Sequence, residues 1–226
     1  MRSRCRSSGR AGVIEAGQGE PGDHGASVAS AIDRRQAKGI EGGMTFELSR
    51  HPDTPSDVVG KVDVAVHRGR PESLVLTCWL VGDMNRIGLP AVVGPSRGDE
   101  LWKHTCYELF IQAEDGGYYE FNFSPSLQWA AYQFGGYRSG MRSVDPIAIT
   151  GLGVRVETGG FGGHATVDLS GLPGLELASP LRIGLSAVIE ESDGRKSYWA
   201  LAHPPGKPDF HHPIAFAQDI PTVVYW

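Results

Sequence analysis

The first 43 residues contain no Phe, Trp or Tyr, and nine of them are Gly. Seven Lys and Arg stand there against five Asp and Glu, a net of +2, which leaves −7 for the rest of a chain whose total is −5. Such a segment cannot bury enough apolar surface to offset the entropy of ordering it. It reads as a disordered tail over 1–43, or as the product of a start placed too far upstream, ahead of one folded domain over 44–226. A short helix over 27–38 is compatible with this stretch, but no amphipathic pattern demands it.

Other absences narrow the function. Only three Cys occur, Cys5, Cys78 and Cys106, with no CxxC spacing. That excludes a disulfide framework and a zinc knuckle. Cys78 and Cys106 fall in expected strands and read as buried thiols, which with the missing signal sequence points to a reducing, cytoplasmic setting. The basic start lacks the apolar core of a secretory signal. No run of eighteen apolar residues exists, so no membrane-spanning helix is expected. A net charge of −5 and a pI near 5.9 argue against nucleic acid as partner. A Gly-rich phosphate loop, a GxSxG elbow and an HExxH pair are all missing, and nothing implies a cofactor or a metal.

What the chain does hold is concentrated in 100–141, ELWKHTCYELFIQAEDGGYYEFNFSPSLQWAAYQFGGYRSGM. It reads as three strands, 105–112, 118–124 and 127–134. Asp115-Gly116-Gly117 marks the first turn, because these residues accept positive φ cheaply. Pro125 marks the second, because it cannot donate to a ladder. In the middle strand Tyr119, Phe121 and Phe123 share one face, and Tyr118, Glu120, Asn122 and Ser124 the other. Period-two alternation predicts a half-buried antiparallel strand with a polar, aromatic outer face. Carboxylate, amide and ring together suit a hydroxylated ligand such as a sugar: rings meet C–H faces and polar groups meet hydroxyls.

Further strands are expected at 45–49, 62–67, 151–157, 164–169, 182–191, 197–202 and 221–226. The run SLVLTCWLV, 73–81, predicts a central strand buried on both faces. A long loop covers 82–99, and loops of that length are often functional. About ten strands, turn signals every eight to twelve residues and no sustained 3.6-residue period predict an all-β fold. The architecture is an antiparallel β-sandwich, jelly-roll-like.

The runs W-x-x-T-C-Y-E-L-F from Trp102, Y-Y-E-F-N-F-S-P from Tyr118, W-A-A-Y-x-F from Trp129, Y-R-x-G-M from Tyr137 and H-P-x-G-K-P-D-F-H-H from His203 carry a likeness. They resemble DOMON-like proteins related to family 9 carbohydrate-binding modules, in the subset sometimes found beside UDP-N-acetylenolpyruvoylglucosamine reductase. The resemblance spans roughly 44–226. It implies a β-sandwich with a ligand site on one face or rim, for a sugar or, in other DOMON domains, haem. Sugar-binding relatives clamp a ring between two aromatics with a carboxylate soon after the first. Trp102 followed by Glu108 is similar to that pattern, and Trp199 or Phe210 is the candidate for the second clamp.

The candidate binding set is therefore Trp102, Trp129 and Tyr132 for ring faces, and Glu108, Glu120, Asn122 and Arg138 for hydrogen bonds. Tyr119, Phe210 and His211 complete it. Each has a plainer reading. Trp102 at a strand entry can be packing, and the two Glu can be solvated or paired with Arg138. His203, Asp209, His211 and His212 share one Pro-rich loop. They match no metal spacing, and can simply bond the backbone. The leading function is a non-catalytic module for a small hydroxylated ligand. The alternatives are a protein-interaction module using Tyr132, Tyr137 and Arg138, and, last, a haem-binding domain with Met84 as one ligand or an enzyme using the two Glu or the HPPGKPDFHH loop from His203.

Overall fold

The computed structural model describes residues 43–144 and 149–222. The tail over 1–42, its helix over 27–38 and residues 223–226 of the last expected strand lie outside the described residues. In chain order the strands are β1 (Met44–Glu47), β2 (Ser49–Arg50), β3 (Val59–Arg70), β4 (Ser73–Gly82) and β5 (Ser96–Arg97). Then come β6 (Cys106–Gln112), β7 (Tyr118–Phe123), β8 (Gln128–Phe134), β9 (Arg142–Ser143) and β10 (Ile149–Glu157). The last four are β11 (Gly160–Asp168), β12 (Leu181–Glu190), β13 (Lys196–Ala200) and β14 (Gln218–Ile220). Two 3-10 turns, Leu101–Lys103 and Pro213–Ala215, interrupt them, and there is no α-helix among the described residues.

The strands form two sheets. One runs β1-β3-β4-β11-β10. The other runs β2-β13-β12-β6-β7-β8-β5, with β14 beside β12 and β9 beside β8. Among the described residues every strand pairing is antiparallel except the two-residue β5–β8 contact. Val62, Val64, Leu76, Leu80 and Phe161 of the first sheet share one core with Leu109, Ile111, Phe121, Ile183 and Leu185 of the second. The fold is the expected β-sandwich: each strand has one apolar stripe, and two stripes facing each other bury both.

Four strand readings change in three dimensions. The strand expected at 45–49 is split, because the chain crosses from one sheet to the other at the buried Leu48. The run 73–81 is not covered on both faces: Leu74, Leu76, Cys78 and Leu80 are buried, whereas Val75, Thr77 and Trp79 are half-exposed and Val81 is exposed. The opposite error falls on 118–124 and 182–191. All six residues of β7 are buried, and β12 is buried continuously from Ile183 to Ile189.

The outer face of β7 is buried because loops return over it. Leu101, Phe210 and Phe216 pack with Cys106, Phe110, Tyr118, Tyr132 and Phe134 in a second cluster outside the main core. Gly184 permits this close approach. A Cβ at that position would stand 3.0 Å from the carbonyl oxygen of Ala215.

Candidate functional site

The turn at Asp115–Gly117 sets the register that places the polar residues. Glu108 pairs with Asn122 and Phe110 with Glu120, so the two Glu sit diagonally on one face of neighbouring strands. On the other side Ser186 of β12 lies opposite Glu108. This outer face forms the base of a cavity of about 370 Å³. Its lining combines Trp102, Phe210 and Tyr198 with Glu108, Glu120, Arg138 and His211.

Both carboxyl groups are nearly out of solvent, with Glu108 at 4% and Glu120 at 5% exposure. The Ser186 hydroxyl donates to Glu108 at 2.8 Å. The Asn122 side-chain amide donates to Glu120 at 2.8 Å. Burial, and then the charge of Glu120, pushes Glu108 up to about 8. Burial also raises Glu120, against the hydrogen bond from Asn122. Two carboxyls this close in a poorly solvated pocket cannot both ionise cheaply.

A chain of hydrogen bonds fixes His211. The backbone N–H of Arg138 donates to the Tyr118 hydroxyl at 3.2 Å, and that hydroxyl lies 2.7 Å from His211 Nδ1. The hydroxyl and Nδ1 share one hydrogen bond, whose direction follows the tautomer of the ring. Nε2 faces Glu120 at 3.9 Å. Burial, and next the charge of Arg138, lowers His211 to about 4, so it is neutral at pH 7.

The mouth is tied by Asp209. Arg138 reaches one of its oxygens through Nη2 at 2.7 Å and Nε at 3.2 Å, and the Tyr137 hydroxyl donates to the other. Arg138 and Glu100 both take left-handed backbone, with φ of 49° and 58°. These two positive-φ residues shape the loops that carry Arg138 and Trp102 to the rim, a conformation that costs about 1–2 kcal/mol per non-Gly residue.

Of the predicted set, Trp102, Glu108, Glu120, Arg138, Phe210 and His211 line the cavity together. Asn122 lies beneath it, fully buried, holding Glu120. Tyr132 is a support and not a ring face. It is buried, meets Trp102 edge-on at 5.7 Å between centroids, and donates to Asp99 at 2.9 Å. Two members are wrong. Tyr119 points into the main core, where its hydroxyl donates to the Pro173 carbonyl at 2.6 Å. Trp129 belongs to the same inner parity, packs against that core and carries the Arg97 guanidinium at 5.9 Å. Period two sends Tyr119, Phe121 and Phe123, with Ala131 and Trp129 opposite the last two, to the face away from Glu120.

Other expectations sharpen in the same way. Trp199 is buried in the main core and donates to Ser197, so the second ring at the cavity is Phe210. Arg138 pairs with Asp209 and neither Glu. The four polar residues of the late loop point to separate partners. His203 meets the Ser49 carbonyl, His212 accepts from the Ile214 N–H, and Asp209 accepts from the His211 N–H. No cluster of three metal-ligating side chains occurs among the described residues. Met84 packs on the core. Sequence reasoning missed Tyr118, Tyr198, Asp209 and Ser186 as site residues. Tyr118 was legible from its shared face with Glu120, but the others come from segments distant in the chain.

A second depression of about 250 Å³ lies on the outer face of the other sheet, beside Trp79, Asp63, Arg155 and Glu157. Its charges are already paired, Lys61 with Asp63 at 2.8 Å and Arg155 with Glu157 at 2.6 Å.

No protein-family profile matches the chain. A curated relative, the intracellular exo-alpha-(1->5)-L-arabinofuranosidase of Bifidobacterium longum, is 26% identical over 178 residues. The match covers 75% of this chain and 31% of that protein, so the chain spans about a third of its length. Among solved structures, a Bacteroides uniformis protein assigned in name to carbohydrate binding superposes with a TM-score of 0.55 at 13% identity. That superposition covers 83% of this chain and 88% of the other, and it establishes a shared fold. A family 9 carbohydrate-binding module of Caldicellulosiruptor kristjanssonii, solved with glucose, is similar at a TM-score of 0.44 and 10% identity, covering 76% of this chain and 80% of its own. That likeness is too loose to argue from.

Proposed function

We propose that the chain is a non-catalytic sugar-binding β-sandwich, with its site on the outer face of β6, β7 and β12. One observation carries this. A single cavity brings the Trp102 and Phe210 rings to the same space as two buried carboxyl groups already oriented by Ser186 and Asn122. Rings for the C–H faces of a sugar and fixed polar groups for its hydroxyls are what such a ligand needs. The size, about 370 Å³, suits a ligand of one or two rings. The match to part of an arabinofuranosidase supports the sugar class, and kinship with the DOMON-like subset belongs to the same proposal. So does a reducing, cytoplasmic setting, supported by Cys78 and Cys106, both free and buried.

A thermal-shift screen of the full chain against mono- and disaccharides tests it. A ligand at 100 times its Kd adds about 2.7 kcal/mol, which for a domain of this size raises Tm by roughly 5 °C or more. Trp102→Ala should abolish the shift while the unliganded Tm stays within a few degrees. No shift with any sugar would remove the proposal. The protein-interaction reading would then lead. It would rest on Tyr137 and Met141, which are exposed at the cavity mouth, and no longer on the buried Tyr132.

A further inference from the structure

The two carboxyl groups at the base of the cavity have no cation of their own. Glu108 is held by a hydroxyl and Glu120 by an amide, and among the described residues neither makes an ion pair with Lys or Arg. The nearest ring, His211, has Nε2 3.9 Å from Glu120 but stays neutral at pH 7. Arg138 stands at the rim with its guanidinium committed to Asp209. The charge of Arg138 lowers both carboxyls, but by less than burial raises them, and the remaining titratable groups around the pair supply none. Burial keeps the Cys106 thiol and the Tyr118 and Tyr132 hydroxyls protonated. The pair therefore relieves its crowding by holding a proton on Glu108.

A buried pair of acids is costly to keep unless something makes use of it. A neutral polyol needs acceptors, but backbone carbonyls or amides would serve without this penalty. A group that gains specifically from two adjacent carboxylates is an ammonium. We infer that the ligand is an amino sugar: a hydroxylated ring whose ammonium group sits between Glu108 and Glu120 while Trp102 and Phe210 take the ring. This rests on the sugar-binding proposal and narrows it. Binding is then an exchange. The O–H bond of the Glu108 carboxyl breaks, its proton leaves to solvent, and the ligand's ammonium takes its place beside the carboxylate without any covalent bond forming.

Isothermal titration calorimetry on the full chain tests this with glucosamine, galactosamine and mannosamine, each beside its parent hexose. Titration at pH 7 in two buffers of different ionisation enthalpy counts the protons released. The expected result is one amino sugar binding at least about ten-fold tighter than its hexose. It should release between half a proton and one, and bind more tightly as pH rises from 6 to 7.5. Glu108→Gln and Glu120→Gln should each remove most of the preference. The proton count is read on the natural sequence, so it does not depend on the variants folding. A hexose that binds as tightly as every amino sugar, without proton release, overturns the ammonium inference and leaves the sugar-binding proposal standing. Failure of all six sugars to bind overturns the ammonium inference, and the sugar-binding proposal then stands or falls with the wider thermal-shift screen.

Discussion

Raising the pH from 6.5 to 8 should destabilise the unliganded protein, chiefly through one buried carboxyl. Glu108 is held up to about 8 by its burial and by Glu120, against an ordinary 4.5. The folded protein therefore keeps a proton that the unfolded chain has already released. The stability this brings is full below 4.5 and drains away as pH rises toward 8. His211 acts with the opposite sign. Its folded value, about 4, lies under the ordinary 6.5, so its contribution is complete above 6.5 and is lost as pH falls. His203 is shifted in the same direction, first by burial. Between 4.5 and 6.5 the opposing slopes offset one another. Above 6.5 the histidines no longer contribute a slope, and Glu108 remains, helped by Glu120, which is raised as well. One pKa unit is worth roughly 1.4 kcal/mol, so the 1.5 units from 6.5 to 8 should cost about 2 kcal/mol. Urea unfolding followed by tryptophan fluorescence at the two pH values reads this directly. Glu108→Gln has no proton to lose and can still accept from Ser186, so most of the drop should vanish in it. A natural protein as stable at pH 8 as at 6.5, or a Gln variant with an undiminished drop, would refute the account of the buried pair.

Two further substitutions test how the faces are assigned. Tyr119→Phe deletes a hydroxyl bonded at 2.6 Å to the Pro173 carbonyl deep in the core. It should lower the unfolding free energy by about 1 kcal/mol and leave ligand affinity unchanged, and an altered affinity would return Tyr119 to the site. Gly162→Ala puts a Cβ 2.2 Å from the Trp79 ring and 2.9 Å from the Cys78 carbonyl oxygen. A cost of about 1–3 kcal/mol, seen as a lower urea midpoint, is expected from such overpacking, and an unchanged midpoint would show that Trp79 does not rest on that glycine.

Much of the fold was legible because each strand states its own parity. The alternation of Val62, Val64 and Val66 against Asp63 and Ala65 predicts a core face, and those three valines are buried in the main core. Asp115-Gly116-Gly117 marks a turn, and the Gln112–Tyr118 pairing closes around it. The pairing of Trp102 with Glu108 was implied by the family resemblance, and both line the cavity. The burial of an outer face was not legible. Alternation says that two faces differ, but not that a loop from 203–216 comes back to cover the polar one. For the same reason the run 73–81 misled: nothing in a nine-residue, mostly apolar run tells whether a second layer exists to cover both sides.

The sequence by itself determined the all-β class, the turns, and which side chains share a face, because period two is a local property of the extended chain. Tertiary structure alone decided which of those faces became the core and which the site. That choice depends on contacts between segments far apart in the chain: Ser186 reaching Glu108 across a strand pair, Asp209 tying Arg138, and Phe210 meeting Tyr198. The carboxyl pair owes its unusual proton affinity to that same enclosure, since removal from water, and not the residue type, raises the cost of its charge.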